Sequence, residues 1–250
     1  MTQNGVPSDR RRLAYRAYVV GSTTVSLILG LAAFGYTRQR PHFQEIDVER
    51  INIVERDGKL RMTISDADRS PGWVFRGKPY PGRPKGAGMI FFNDEGEEDG
   101  GIGYGGRKAD GQVDAYGGIA FDQYDQDEAV TLSYADEHGR RRQGLTITDR
   151  ADMPIPEMLA RRDAIRKLPA GAARDSTMAA FVENHGHPLA ASRLFAGREP
   201  NGTAVVSLAD PRGHPRLRLT VDSTGTATVQ FLDAQGKVTR TLSGQDTTSR

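Results

Sequence analysis

The chain contains no cysteine and only one tryptophan, Trp73, among its 250 residues. The absence of cysteine excludes disulfide bonds, thiolate catalysis and cysteine-ligated metal sites. The net charge is also small, at +2, with 34 Lys+Arg against 32 Asp+Glu. A chain this close to neutral lacks the excess of positive charge that is typical of nucleic-acid binding, so no nucleic-acid partner is expected.

Long apolar segments are scarce as well, since only the run 17–36, AYVVGSTTVSLILGLAAFGY, lacks charge over a long stretch. A helix of about 20 mostly apolar residues spans roughly 30 Å, the thickness of a bilayer's hydrocarbon core. Four arginines precede the run, at Arg10, Arg11, Arg12 and Arg16. The sequence therefore predicts a cytoplasmic basic tail (1–16), a single-pass transmembrane anchor (17–36) in the cell membrane and an extracytoplasmic body.

Two alternatives to an anchor remain open for the run 17–36. A cleaved signal peptide would end near the small residues around Ala32, and a buried helix of a soluble domain is the third possibility. Within the run, Ser22, Ser26 and Gly30 recur every four residues, a spacing that lets helices pack closely. The predicted partners are thus a lipid bilayer and, through this face, another membrane protein or a second copy of the chain.

Alternating apolar residues after Pro41 predict half-buried β-strands over 43–150, with Asp57-Gly58 as the turn of a hairpin. A C-terminal β region (190–242) shows the same alternation. Five segments share the pattern Asp or Asn, two free positions, then Gly, starting at Asn93, Asp136, Asp210, Asp222 and Asp233. This pattern is typical of type I turns closed by a glycine at positive φ. The fold prediction is therefore a mainly β, antiparallel meander, barrel- or sandwich-like, behind the transmembrane helix.

Helical spacing replaces alternation between residues 153 and 186. Ile155, Leu159 and Ile165 repeat with helical periodicity, and Pro169 ends the segment. Asp175 or Ser176 is suited to cap a second short helix. We therefore expect a small helical hairpin between the two β regions.

Several segments of the body resemble an uncharacterised family of bacterial single-pass membrane-anchored β-rich proteins. The resemblance lies in FFNDEG, FDQYDQDE, GLTITDR and LRLTVDSTGTATVQFLDAQGKV, and it would cover roughly 43–242. No activity is assigned to that family, so the resemblance implies a fold and no catalytic residues.

The candidate site residues are few, and no catalytic motif is among them. The loop 70–88 carries Trp73, and a run of acidic residues includes Asp122, Asp125 and Asp127. Aromatic loops bind ligands such as sugar rings, although they also pin loops to a core. The leading expectation is a binding or assembly module without enzyme activity, cofactor or metal. The alternative is a hydrolase or carbohydrate-active enzyme that uses these carboxylates, with Trp73 as the substrate platform.

The sequence contains two further candidate motifs, and both are weaker. The acidic runs 94–99 and 122–128 contain enough carboxylates to suggest calcium, although neither fits an EF-hand loop. The segment 101–106, GIGYGG, formally fits GxGxxG, but no strand–helix context surrounds it, and a glycine-rich strand is the better interpretation.

Overall fold

The computed structural model describes residues 8–36, 41–75, 78–80 and 85–244. The chain divides into two compact units, Met1–Asp47 and Val48–Arg250. Among the described residues, the first unit contains helix α1 (Ser8–Tyr36). The described β-strands and the other two α-helices lie in the second unit.

The predicted transmembrane anchor is wrong. Among the residues that the structure describes, no helix is long and apolar enough to cross a membrane. Helix α1 begins at Ser8, so it includes all four arginines, and the run 21–24 places glycine and three hydroxyl residues at its middle. The prediction rested on length and the absence of charge and gave these polar positions too little weight. The predicted single-pass location in the cell membrane, with a cytoplasmic N-terminus and an extracytoplasmic body, is wrong for the same reason.

The second unit is built on one antiparallel sheet of twelve strands. Its strands are β1 (Arg50–Val54), β2 (Leu60–Ser65), β5 (Gly88–Phe92), β6 (Glu98–Ala109), β7 (Gln112–Asp122), β8 (Glu128–Glu137), β9 (Arg140–Arg150), β10 (Ala190–Arg198), β11 (Ala204–Ala209), β12 (Pro215–Val221), β13 (Ala227–Leu232) and β14 (Val238–Ser243). Each strand pairs with the next strand of the sheet along the chain. The meander prediction is therefore correct, but the sheet is open, with β1 and β14 at its edges, rather than closed or sandwich-like.

Two insertions interrupt the meander. A separate two-stranded hairpin, β3 (Trp73–Phe75) and β4 (Lys78–Tyr80), lies between β2 and β5 in the sequence. Two helices, α2 (Ile155–Arg166) and α3 (Ala172–Glu183), followed by a 3-10 turn (Asn184–Gly186), connect β9 to β10. Pro154 precedes α2, whereas the N-cap of α3 is Gly171, which lies four residues before Asp175 and five before Ser176, the two predicted caps.

The two faces of the sheet differ in burial. One face, here called the covered face, holds Thr63, Ile90, Phe195 and Val205, which are all buried. Val74 of the inserted hairpin packs there against Ile90 and Phe92, with Leu60 beside them. The hydrophobic core therefore lies between the hairpin and the covered face, because burial requires a second layer above a sheet.

Four of the five predicted Asx turns have the expected geometry. At Asp222, for example, Oδ1 accepts hydrogen bonds from the amides of Thr224 and Thr226, at 2.8 and 2.9 Å, and Gly225 has φ +88°. The turn after Asp136 differs, because His138 and Gly139 both have positive φ and form a two-residue hairpin loop.

Candidate functional site

A cleft of about 740 Å³ lies on the covered face, and the inserted hairpin contributes Trp73 and Phe75 to it. Trp73 is paired in register with Tyr80, and their ring centroids are 6.4 Å apart. Phe75 meets the same Tyr80 ring edge-on at 5.5 Å. Side chains alternate along a strand, so Val74 and its two neighbours lie on opposite sides of the hairpin. Val74 packs in the core, whereas Trp73 and Phe75 line the cleft.

The floor of the cleft is a row of residues with little or no side chain. Gly88, Gly103, Gly118 and Ser133 are direct partners on four successive strands, β5 to β8, and all line the cleft. The row continues to Ser65 on one side and to Gly144 and Gly197 on the other. Because these positions carry either no side chain or the short side chain of serine, the sheet backbone forms most of the bottom of a trough.

Tyr116 stands beside this trough and lines the cleft. Its ring lies over Gly105 of the neighbouring strand, where an added Cβ would be 2.7 Å from Cε1 of the tyrosine. Its hydroxyl lies near Gly86, where an added Cβ would be 3.2 Å away. Glycine at these two positions leaves the space that the ring occupies.

Acidic residues line the cleft at one end of the sheet, where β6 begins, β7 ends and β8 begins. Glu98, Asp122, Asp127 and Glu128 all contribute to the lining. Asp127 forms an ion pair with Arg150, whose Nη1 is 3.4 Å from the carboxylate, and Arg150 Nε donates to the carbonyl oxygen of Glu128 at 2.8 Å. Of the predicted site residues, Trp73, Asp122 and Asp127 thus share one cleft.

Helix α2 is fastened to this acidic end. The Gln126 side chain, which is buried, donates from Nε2 to the carbonyl oxygens of Met153 at 2.7 Å and Ala151 at 3.3 Å. The amide of Ile155 donates to the carbonyl of Asp125 at 2.8 Å, and Ile155 itself lines the cleft. The helix therefore fixes the turn that carries the carboxylates.

Asp125 does not line the cleft with the other predicted site residues. It has φ +57° in the β7–β8 turn, and its carboxylate groups with those of Glu95 and Glu97, with ligand oxygens within 4.8 Å of one another. Tyr124 donates to Glu95 at 2.7 Å. This hydrogen bond, with desolvation and the nearby carboxylates, raises the pKa of Tyr124 to about 12.

The fold thus brings the two acidic runs of the sequence together at Glu95, Glu97 and Asp125. These three carboxylates could contribute to a cation site, but calcium takes six to eight oxygens. The calcium-stabilised module therefore stays a prediction.

Two parts of the site escaped the sequence-based reasoning. Tyr116 and the small-residue row become neighbours only through the strand register, which spaces Gly88, Gly103 and Gly118 about fifteen residues apart in sequence. The GIGYGG segment lies within β6 and leads into another strand, as the glycine-rich strand interpretation expects. The recurrence of glycine in the predicted strands was the only available signal.

The predicted helix-association face lies on α1. Ser22 Oγ donates to the carbonyl of Val19 at 3.0 Å within the helix, and an added Cβ at Gly30 would meet no atom within 4 Å. Ser22, Ser26 and Gly30 are exposed. Association through this face, and the bilayer, membrane-protein and self partners expected from the sequence, stay predictions.

No protein-family model matches the chain, and a search of curated proteins finds no significant relative. The resemblance to an uncharacterised bacterial family therefore stays a prediction. Any functional proposal for this chain depends on its own geometry.

Proposed function

We propose that the β-rich unit is a carbohydrate-binding module in which a sugar ring stacks on Trp73 inside the cleft. The observation that carries the proposal is the meeting of Trp73, Phe75 and Tyr116 with several carboxylates around one trough of about 740 Å³. Ligand sites of small molecules have volumes of about 300–1,000 Å³ and combine apolar walls with a few polar groups.

The chemistry of the lining favours sugars over other small ligands. The face of a sugar ring presents C–H groups, which pack on aromatic side chains, while its rim presents hydroxyl donors. The carboxylate oxygens of Asp122 and Glu128 are acceptors for such hydrogen bonds. A trough whose floor consists of glycine and serine admits a flat ring or an extended chain along this row.

Binding is favoured over hydrolysis by the surroundings of Asp127. Its carboxylate is already in an ion pair with Arg150, which suits a structural or anchoring role. No cofactor is needed for the proposed binding, since aromatic stacking and hydrogen bonds to carboxylates supply the recognition.

The single tryptophan makes the proposal directly testable. All tryptophan fluorescence of the full chain comes from Trp73, so titration with a panel of soluble oligosaccharides reports on the cleft alone. We expect at least one glycan class to quench or shift this emission in a saturable way. Trp73→Ala should weaken binding of that glycan, measured by calorimetry, by about 2 kcal/mol, or roughly thirtyfold.

Tyr104→Ala provides the matched control, since Tyr104 is an exposed aromatic of β6 that lies outside the cleft lining. The Tyr104→Ala variant should bind the glycan with the same affinity as the unaltered protein. If no glycan of the panel changes the emission at millimolar concentration while the protein is folded, the proposal is wrong.

A second function, glycoside hydrolysis, is favoured by one observation: Asp122 and Asp127 line the same cleft as Trp73. Glycosidases use two carboxyl groups on either side of the bond that is cleaved. If the bound glycan is cleaved, Asp122→Asn should abolish turnover while glycan binding persists. Binding without cleavage by the unaltered protein would exclude this second function for that glycan.

A further inference from the structure

The sheet face opposite the cleft carries a continuous row of apolar side chains across all twelve strands. Each member is the direct register partner of the next, from β1 to β14. The row consists of Ile51, Ile64, Met89, Ile102, Ile119, Leu132, Leu145, Ala196, Val206, Leu219, Val229 and Leu242. Cross-strand partners share one face of a sheet, so these residues form a single stripe.

A second row runs beside the first. Its members are Ile53, Met62, Phe91, Gly100, Phe121, Val130, Ile147, Leu194, Leu208, Leu217, Phe231 and Arg240. Gly100 and Arg240 are its two members without an apolar side chain. The rings of Phe91 and Phe121 stack over Gly100, with centroids 6.2 Å apart. We call the two rows together the apolar face.

The apolar face is open to solvent. None of the twelve residues of its first row is buried, and Leu132, near the middle of the sheet, is 55% exposed. The covered face provides the contrast, because Thr63 is 1% exposed and Phe195 is 8% exposed there. Thus, among the described residues of the second unit, the more continuous apolar surface of the sheet is the one that no layer of this unit covers.

The size of this surface requires a partner. Twelve strands about 4.8 Å apart give a width of about 50 Å, and two rows span about 15 Å along the strands, or roughly 800 Å² in all. Exposed apolar patches of more than a few hundred Å² mark interaction sites in soluble proteins. A sheet with one apolar face is normally completed by a second layer.

We propose that a second copy of this chain supplies that layer, so that two apolar faces pack together as a β-sandwich across a two-fold axis. The area fits, because a standard interface uses about 800 Å² from each partner. The charge pattern also fits, since Arg240 is the only charged member of the two rows and lies on the edge strand. An isologous interface needs such a self-complementary surface, and aligned sheets pack about 10 Å apart through interdigitating side chains.

The position of Leu132 makes it the sharpest probe. Strand β8 is the sixth of the twelve strands, so a two-fold axis through the middle of the apolar face passes close to Leu132. In the full chain, sedimentation from about 1 to about 100 µM should reveal a monomer–dimer equilibrium. Leu132→Asp should weaken dimerisation by at least about 100-fold, because an unpaired carboxylate would be buried in the interface. Circular dichroism should show an intact sheet, since Leu132 is exposed within one chain.

Two further variants keep the test decisive. Leu219→Asp places the same charge at another exposed position of the apolar face and should also dissociate the dimer. Thr241→Asp places it on the opposite face of the edge strand, where Thr241 pairs with Gln230, and should leave the dimer unchanged.

The absence of cysteine permits a second readout. Leu132→Cys introduces the only thiol, and a short bismaleimide should link two copies in high yield, whereas Thr241→Cys should give little product. A monomer at every concentration would overturn the proposal. A dimer that survives both aspartate variants would overturn it too, because association would then use another surface, such as the Ser22, Ser26 and Gly30 side of α1.

Discussion

The ring of Tyr116 occupies the space above Gly105 on the adjacent strand, where a methyl group would lie only 2.7 Å from Cε1. A glycine that accommodates a cross-strand aromatic ring fixes the orientation of that ring without a hydrogen bond. Tyr116 is 52% exposed, and its ring lines the cleft in the space that Gly105 leaves open.

Gly105→Ala should displace the Tyr116 ring and weaken binding of the glycan that the tryptophan titration identifies. The sheet should tolerate the change, with a loss of less than about 1 kcal/mol, because the ring end of Tyr116 can move. Gly117→Ala is the control on the facing strand, where the added Cβ would be 3.9 Å from the nearest atom. Equal affinities for the two variants would contradict the role assigned to Tyr116.

Gly100→Ala should destabilise the whole sheet. An added Cβ would lie 2.2 Å from the carbonyl oxygen of Ala120, and the backbone has φ +123°, which non-glycine residues rarely adopt. We expect a loss of about 3 kcal/mol or more in the free energy of unfolding, measured in urea. Gly117→Ala again provides the control and should unfold near the unaltered midpoint.

Gln126→Ala should loosen the contact between the β7–β8 turn and the segment that leads into α2. The buried amide satisfies the carbonyl oxygens of Ala151 and Met153, which would be left without this donor. The expected loss is about 1–3 kcal/mol in the free energy of unfolding. Hydrogen exchange should accelerate in α2 and in the turn before it spreads to the sheet. Gln112→Ala, at an exposed position of β7, should change neither measurement.

Asp210 should support stability above pH 4 and lose this effect in acid. Desolvation alone would raise the pKa of Asp210, but hydrogen bonds from the His214 amide, the Arg216 side chain and the Arg212 amide together lower it to about 2. The folded state therefore binds the proton less tightly than the unfolded state, whose carboxyl has a pKa near 3.8. The stabilisation is complete above the unfolded value and disappears as the pH falls through about 2.

Melting curves of Asp210→Asn and the unaltered protein test the direction of this pH dependence. The difference in Tm should be largest at pH 5 and above and should shrink between about pH 4 and pH 2. The exposed Asp152 serves as the control, and Asp152→Asn should follow the unaltered protein at each pH. If the difference in Tm between Asp210→Asn and the unaltered protein stays constant across this pH range, the lowered pKa of Asp210 is contradicted.

The alternation of apolar residues identified most strands because it depends only on local sequence. Val130 with Leu132 and Leu145 with Ile147 are alternating apolar residues of the predicted β region 43–150, and they lie in strands β8 and β9. Alternation predicts that one side of each strand is buried but does not say which side, and these four residues belong to the apolar face. Burial is decided by which face receives the β3–β4 hairpin, and alternation carries no information about that choice.

The turns also show that sequence patterns predict local structure better than structure set by distant residues. Asp222 and Asp233 form the predicted Asx turns because these hydrogen bonds span only four residues. The turn at His138 follows the two-residue register of its strands instead, so the pattern alone misassigned it. The cleft combines residues from Ser65 to Ile155, and only the tertiary register could bring them together.

The order of strands in the sheet has a consequence for how the chain folds. Neighbours in the sheet are neighbours along the chain, interrupted by the β3–β4 hairpin and by α2 with α3. Most β pairings therefore close short loops, and a low contact order accelerates folding relative to β proteins with distant pairings. Hairpins can add one after another to either edge, much as units add in a repeat protein. The sheet can thus lengthen or shorten by whole hairpins during evolution without rearranging the strands already in place.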